Sequence, residues 1–172
     1  MNNELKLIAV IYAALFLMGC STDKIVADKN YKKQVSREGE MYETVMTRHH
    51  SPYGYNLSYE TDRFSTEYGK NTERYVGAGK DTYFSVEYIP GKKLKEITDI
   101  IEIQYGLISG GRYLIDDESA VAYERFENDI VNKIYVLEEN DGVYVITMSY
   151  LAEGQEGYGT LMQEIVNSID FD

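Results

Sequence analysis

From about residue 41 onward the chain changes hydrophobic period several times, and each change marks an element. Thr82-Tyr-Phe-Ser-Val-Glu-Tyr-Ile89 puts Phe84, Val86 and Tyr88 on one face and Tyr83, Ser85 and Glu87 on the other. A period of two predicts a half-buried strand. Pro90-Gly91 stops it. Residues 41–47, 55–59 and 72–76 have strand composition, residues 49–54 read as a loop, and residues 77–81 as a turn.

Over residues 92–107 the period lengthens, and Leu94, Ile97, Ile101 and Ile108 form one stripe with Ile100 beside it. That spacing predicts an amphipathic helix, ended by Gly110-Gly111. Strands are then expected over residues 120–126, 133–138 and 143–150. Asn140-Asp141-Gly142 joins the last two as a hairpin, because Asp and Gly tolerate the positive φ of a tight turn. A final helix over residues 155–169 carries Tyr158, Leu161, Met162, Ile165 and Ile169 on one side, with Gly157 and Gly159 weakening its start. Strand groups each followed by a helix predict an α+β fold, an antiparallel sheet covered by helices.

The amino terminus has neither period. Residues 7–18 are apolar on all sides, preceded by Lys6 and followed by Gly19-Cys20-Ser21. Twelve residues span only about 18 Å as a helix, against about 30 Å of bilayer hydrocarbon, so the length fits a signal-peptide core. Leu17-Met18-Gly19-Cys20 resembles a bacterial lipobox, whose cysteine is diacylated and becomes the mature N-terminus. The expected organisation is a lipoprotein signal peptide over 1–19, a polar tether over 20–40 with a turn of helix near 31–35, and one domain over 41–172. The expected location is outside the cytoplasm, lipid-anchored to the cell membrane through Cys20.

Charge and cysteine content narrow the functions. With 17 Lys+Arg against 29 Asp+Glu the net charge is −12, which excludes an electrostatic nucleic-acid binder. One cysteine leaves no internal disulfide and no Cys-rich metal site.

The run from Tyr83 to Gly91, the helix after it, and the runs 133–137, 142–150 and 156–163 ending in Ile169-Asp170-Phe171 together resemble PsbP-like domains. Tyr55-Asn-Leu-Ser-Tyr59 with Phe64 resembles the opening strand and turn of that domain, so the likeness spans residues 53–171. It implies an α/β/α sandwich around a central antiparallel sheet, and a non-enzymatic scaffold that docks to larger assemblies. Small bacterial lipoproteins carry this domain type.

No catalytic constellation stands out. Residues 77–81 lack the first glycine and the hydroxyl of a phosphate-binding loop, and no G-x-S-x-G elbow occurs. His49, His50, Asp116, Asp117 and Glu118 are the candidate metal ligands: imidazoles for a transition metal, or a run of hard oxygens for calcium. Against this, adjacent histidines diverge on a strand, and the acidic run matches no EF-hand spacing. No cofactor is expected. Tyrosine is abundant at 17 residues with no tryptophan, and Tyr53, Tyr55, Tyr83, Tyr144 and Tyr150 are candidates for a binding surface. The leading expectation is a membrane-anchored, non-enzymatic accessory protein whose partner is another envelope or secreted protein. A solute- or glycan-binding lipoprotein using the tyrosines is second, and a hydrolase a distant third.

Overall fold

The computed structural model describes residues 27–37, 40–79, 81–106 and 111–171. The apolar amino-terminal segment, Cys20 and Ile108 lie outside the described residues. In chain order the first strands are β1 (Lys29–Arg37), β2 (Glu40–Ser51), β3 (Tyr55–Glu60), β4 (Ser65–Tyr68), β5 (Thr72–Val76) and β6 (Tyr83–Pro90). Helix α1 (Leu94–Tyr105) follows, then β7 (Gly111–Ile115), β8 (Glu118–Glu127), β9 (Ile130–Glu139) and β10 (Gly142–Leu151). The chain ends through a short 3₁₀ and π-helical passage (152–159), helix α2 (Thr160–Asn167) and β11 (Asp170–Phe171).

Two antiparallel sheets result. One has the order β1-β2-β3-β11, the other β4-β5-β6-β10-β9-β8-β7. The larger sheet is the middle layer. Its inward residues Phe84, Val86, Tyr144, Ile146 and Met148 pack with Tyr55 and Leu57 of the small sheet and with Met162, Ile165 and Val166 of α2. On its other face α1 lays Ile97 and Ile101 against Tyr123, Val136 and Val143. The fold is therefore an α+β sandwich, but one outer layer is a small sheet joined to a helix.

Local chemistry explains the meander from β7 to β10. Its three turns are Asp116-Asp117, Asn128-Asp129 and Asn140-Asp141, with φ between 50° and 65° at all six residues. Each turn closes a hairpin, with Ile115 facing Glu118, Glu127 facing Ile130 and Glu139 facing Gly142. Two successive positive φ values match strand twist, and Asn and Asp tolerate them best after glycine. Gly142 is required for another reason: a Cβ there would lie 2.5 Å from the Tyr88 ring. Helix α1 starts at Leu94, whose N–H is capped by Glu138 at 2.8 Å. That N–H and the Lys93 ammonium draw the Glu138 carboxyl below its usual pKa. The helix ends at Gly106, left-handed with φ 61°.

Several expectations need correction. Residues 29–37, expected within a polar tether with a turn of helix, form β1 and pair with β2 from Lys29↔Arg48 to Arg37↔Glu40. The described side chains of β1 are exposed except for half-buried Val35, so no hydrophobic alternation marked the strand. Likewise His49 and His50 lie within β2, not in a loop. The last α-helix begins at Thr160, because the chain is π-helical from Gln155 to Gly159. There Gly159 passes so close to Tyr150 that a Cβ would meet the ring at 3.0 Å.

Ile165 and Ile103 make a direct test of the layers. Ile165 is 2% exposed beneath α2, whereas Ile103 on α1 is 84% exposed. Ile165→Ala should cost about 2–5 kcal/mol in urea unfolding, since the lost transfer energy adds to the cavity left behind. Ile103→Ala should move stability by less than about 0.5 kcal/mol.

Candidate functional site

Among the described residues, two places that gather polar groups stand out. The first is a groove of about 720 Å³ between β1 and the start of α2. Lys33, Gln34, Val35 and Ser36 form one wall, and Glu156, Thr160, Leu161 and Glu164 the other, with Glu60 and Arg63 also lining it. A smaller hollow of about 110 Å³ lies beside it, bounded by Tyr31, Met46, Phe64 and Ile165. β1 is an edge strand, so the groove runs along a strip of extended backbone. Charges of both signs line it.

The second place is sealed between the sheets and centred on His49, which is 5% exposed. Nε2 lies 3.0 Å from Glu73 of β5, and Nδ1 lies 2.9 Å from Asp28, just ahead of β1. Glu73, 1% exposed, also accepts the Tyr55 hydroxyl, with the Tyr75 hydroxyl at 3.5 Å. Burial opposes a charge on His49, but the hydrogen bonds to Glu73 and Asp28 outweigh it and raise the imidazole above its ordinary pKa. Burial pushes Tyr55 and Tyr75 well above the usual phenol range, and neighbouring Glu73 adds to this.

The candidate metal ligands do not converge. Among the described residues no group of three or more His, Cys, Asp and Glu is placed to hold a metal ion. The two nitrogens of His49 point in opposite directions, each already bonded to a carboxylate. His50 faces the other way and bonds Asn56 through Nδ1 at 2.5 Å. Asp116 and Asp117 are the central residues of a hairpin, and Asp116 accepts the Phe171 N–H at 2.9 Å.

The tyrosines likewise divide. Tyr55, Tyr144 and Tyr150 are core residues, at most 1% exposed, and offer no surface. Tyr53 packs at the edge of that core and accepts the Asn71 N–H at 3.1 Å. Tyr83 lies on the opposite face of the larger sheet, under the Arg74 guanidinium at 4.0 Å. The exposed aromatic side chains are others, among them Tyr31, Tyr42 and Tyr68.

Sequence reasoning did not single out Glu73 or Asp28. For Glu73 a signal was present. It stands two residues before Tyr75 on one strand, so a buried Tyr75 turns the carboxylate inward as well. Asp28 had no such signal, since β1 shows no hydrophobic alternation.

Comparison with solved structures bears on the fold. The solution structure of cyanobacterial PsbP from Synechocystis matches with a TM-score of 0.51 at 12% identity, over 91% of this chain and 99% of that one. The fold is PsbP-like. A crystal structure from Bacteroides thetaiotaomicron matches with a TM-score of 0.53 at 11% identity, over 71% of this chain. The match spans about half of that protein, 47% of its length. No protein-family model matches the chain, and no curated protein does.

Proposed function

We propose that this chain is a lipid-anchored, extracytoplasmic accessory protein that docks a protein partner in the groove between β1 and α2. The groove carries the reading: its wall is an edge strand, and Lys33, Arg63, Glu156 and Glu164 offer both signs of charge to an extended polypeptide. The PsbP-like fold supports a non-catalytic role of this kind, because PsbP-like proteins act as accessory subunits. Anchoring rests on Cys20 directly after the apolar run. A glycan would call for aromatic rings to stack on, and the groove's lining contains none. Hydrolysis would call for a base beside a nucleophile, whereas both nitrogens of His49 are bonded to carboxylates.

Two measurements test the two halves. Mass spectrometry of the native protein should find a diacylglyceryl adduct on Cys20 and no residues 1–19; an unmodified chain beginning at Met1 removes the anchor. A photo-crosslinking residue placed at Gln34 should capture an envelope protein that the same residue at Glu118 does not. Equal capture at both positions would rule the groove out as the docking surface.

A further inference from the structure

We propose that His49 is a proton-operated clasp: charged, it fastens Asp28 and the head of β1 to the interface between the sheets, and neutral, it releases them. The geometry is specific. Nδ1 lies 2.9 and 3.1 Å from the two oxygens of Asp28, and Nε2 lies 3.0 Å from Glu73. With two carboxylates facing two ring nitrogens, only the imidazolium donates to both.

Loss of one proton to solvent forces a choice between the carboxylates. Glu73 is sealed, its side chain 2% exposed, and needs the imidazole N–H to offset its buried charge. Asp28 is 37% exposed and sits at the end of a strand, so it can turn to water. The remaining proton therefore stays on Nε2, Nδ1 presents a lone pair to Asp28, and the contact becomes repulsive.

The surrounding titratable groups leave His49 as the operator. They are Asp28 ahead of β1, Tyr55 and Tyr59 on β3, Tyr68 on β4, and Glu73 and Tyr75 on β5. Burial holds Tyr55, Tyr59 and Tyr75 above the usual phenol range, so those three stay neutral where an imidazole titrates. Among the described residues three other side-chain ties hold this end of the chain: the His50 N–H donates to Asp28 at 3.3 Å, Thr47 to Asn30 at 2.9 Å, and Lys32 to Glu43 at 2.6 Å. The last two lie further along the strand, so release is confined to its head, where a neutral imidazole leaves Asp28 only the longer bond from the His50 N–H. The folded pKa of His49 lies above the unfolded value of about 6.5, so the clasp is complete below that value and is lost as pH rises through the folded one.

β1 also walls the docking groove, but through Lys33–Ser36 beyond those ties, so release at its head leaves that wall in place. The clasp does not rest on the groove reading. The experiment therefore reads the strand with no partner present. Hydrogen exchange of the full chain in detergent, corrected for intrinsic rates, should show protection of residues 29–33 falling about fivefold or more as His49 deprotonates, with β10 unchanged. The imidazole resonances give the His49 midpoint, with His50 as internal reference. Asp28→Asn is mild, since its side chain is partly exposed. It should lower the His49 midpoint and, because an amide can accept from the imidazolium or donate to the bare Nδ1, leave the protection of the head of β1 independent of pH. Flat protection in the unaltered chain, or an Asp28→Asn profile that matches it, would overturn the clasp. Failed capture at Gln34 with an intact pH response would remove the groove reading alone.

Discussion

Replacing Glu73 by alanine is expected to destabilise the domain by about 3–5 kcal/mol at pH 6, where His49 is charged. The carboxylate is 1% exposed and is shared by His49, Tyr55 and Tyr75 across both sheets. Removing it strands a buried imidazolium on one side and leaves the buried Tyr55 hydroxyl without its acceptor, besides opening a cavity. Glu73→Gln keeps the shape and one acceptor oxygen, so it should cost less than alanine. The comparison is made by urea unfolding at pH 6 and again at pH 8. His49 loses a carboxylate in Glu73→Ala, so its pKa should fall and the penalty should shrink at the higher pH. A loss below 1 kcal/mol at pH 6 would mean that water enters the site and solvates the imidazolium.

Tyr144→Ala is expected to cost about 3–5 kcal/mol, in the range of large aromatic truncations. The ring is fully buried between Tyr88 at 4.8 Å and Phe171 at 4.9 Å, with Tyr55 edge-on at 6.0 Å. Its hydroxyl donates to the Tyr53 carbonyl at 2.5 Å, tying the central strand β10 to the β2–β3 turn. Tyr144→Phe isolates the hydroxyl: it keeps the ring and leaves that carbonyl without its donor, a loss of about 1–3 kcal/mol. Thermal or urea unfolding of both variants checks the order. Equal losses would assign the whole effect to the hydrogen bond, and a silent Phe variant would assign it to packing.

Both predictions rest on residues that the sequence alone could only half place. Tyr144 belongs to an alternating run, so its strand was legible, and so was a face shared with Ile146 and Met148. Which face turned inward was not. Tyr144 and Tyr150 therefore read as surface candidates and turned out to be core. His49 stands out in the sequence as one of two histidines, but its partners lie 21 and 24 residues away, on elements that meet only when the sheets pack.

The elements legible in advance are those whose own side chains carry the signal. The alternation over residues 82–89, the Ile97/Ile101 stripe and the Asn140-Asp141-Gly142 turn each encode local geometry, and each is present in the structure. β1 has no such code. It is a strand because β2 offers it a ladder of backbone hydrogen bonds, and backbone groups are the same for every sequence.

The sequence by itself determined the order of the main elements, the acidic charge and the isolated cysteine after an apolar run. It determined these because periodicity, charge and turn preference are properties of neighbouring residues. The tertiary structure decided the two-sheet core, the groove beside β1 and the Asp28–His49–Glu73 chain. Each of those depends on which residues distant in sequence come within a few ångströms, and burial then leaves a histidine and a glutamate facing each other where water no longer screens them.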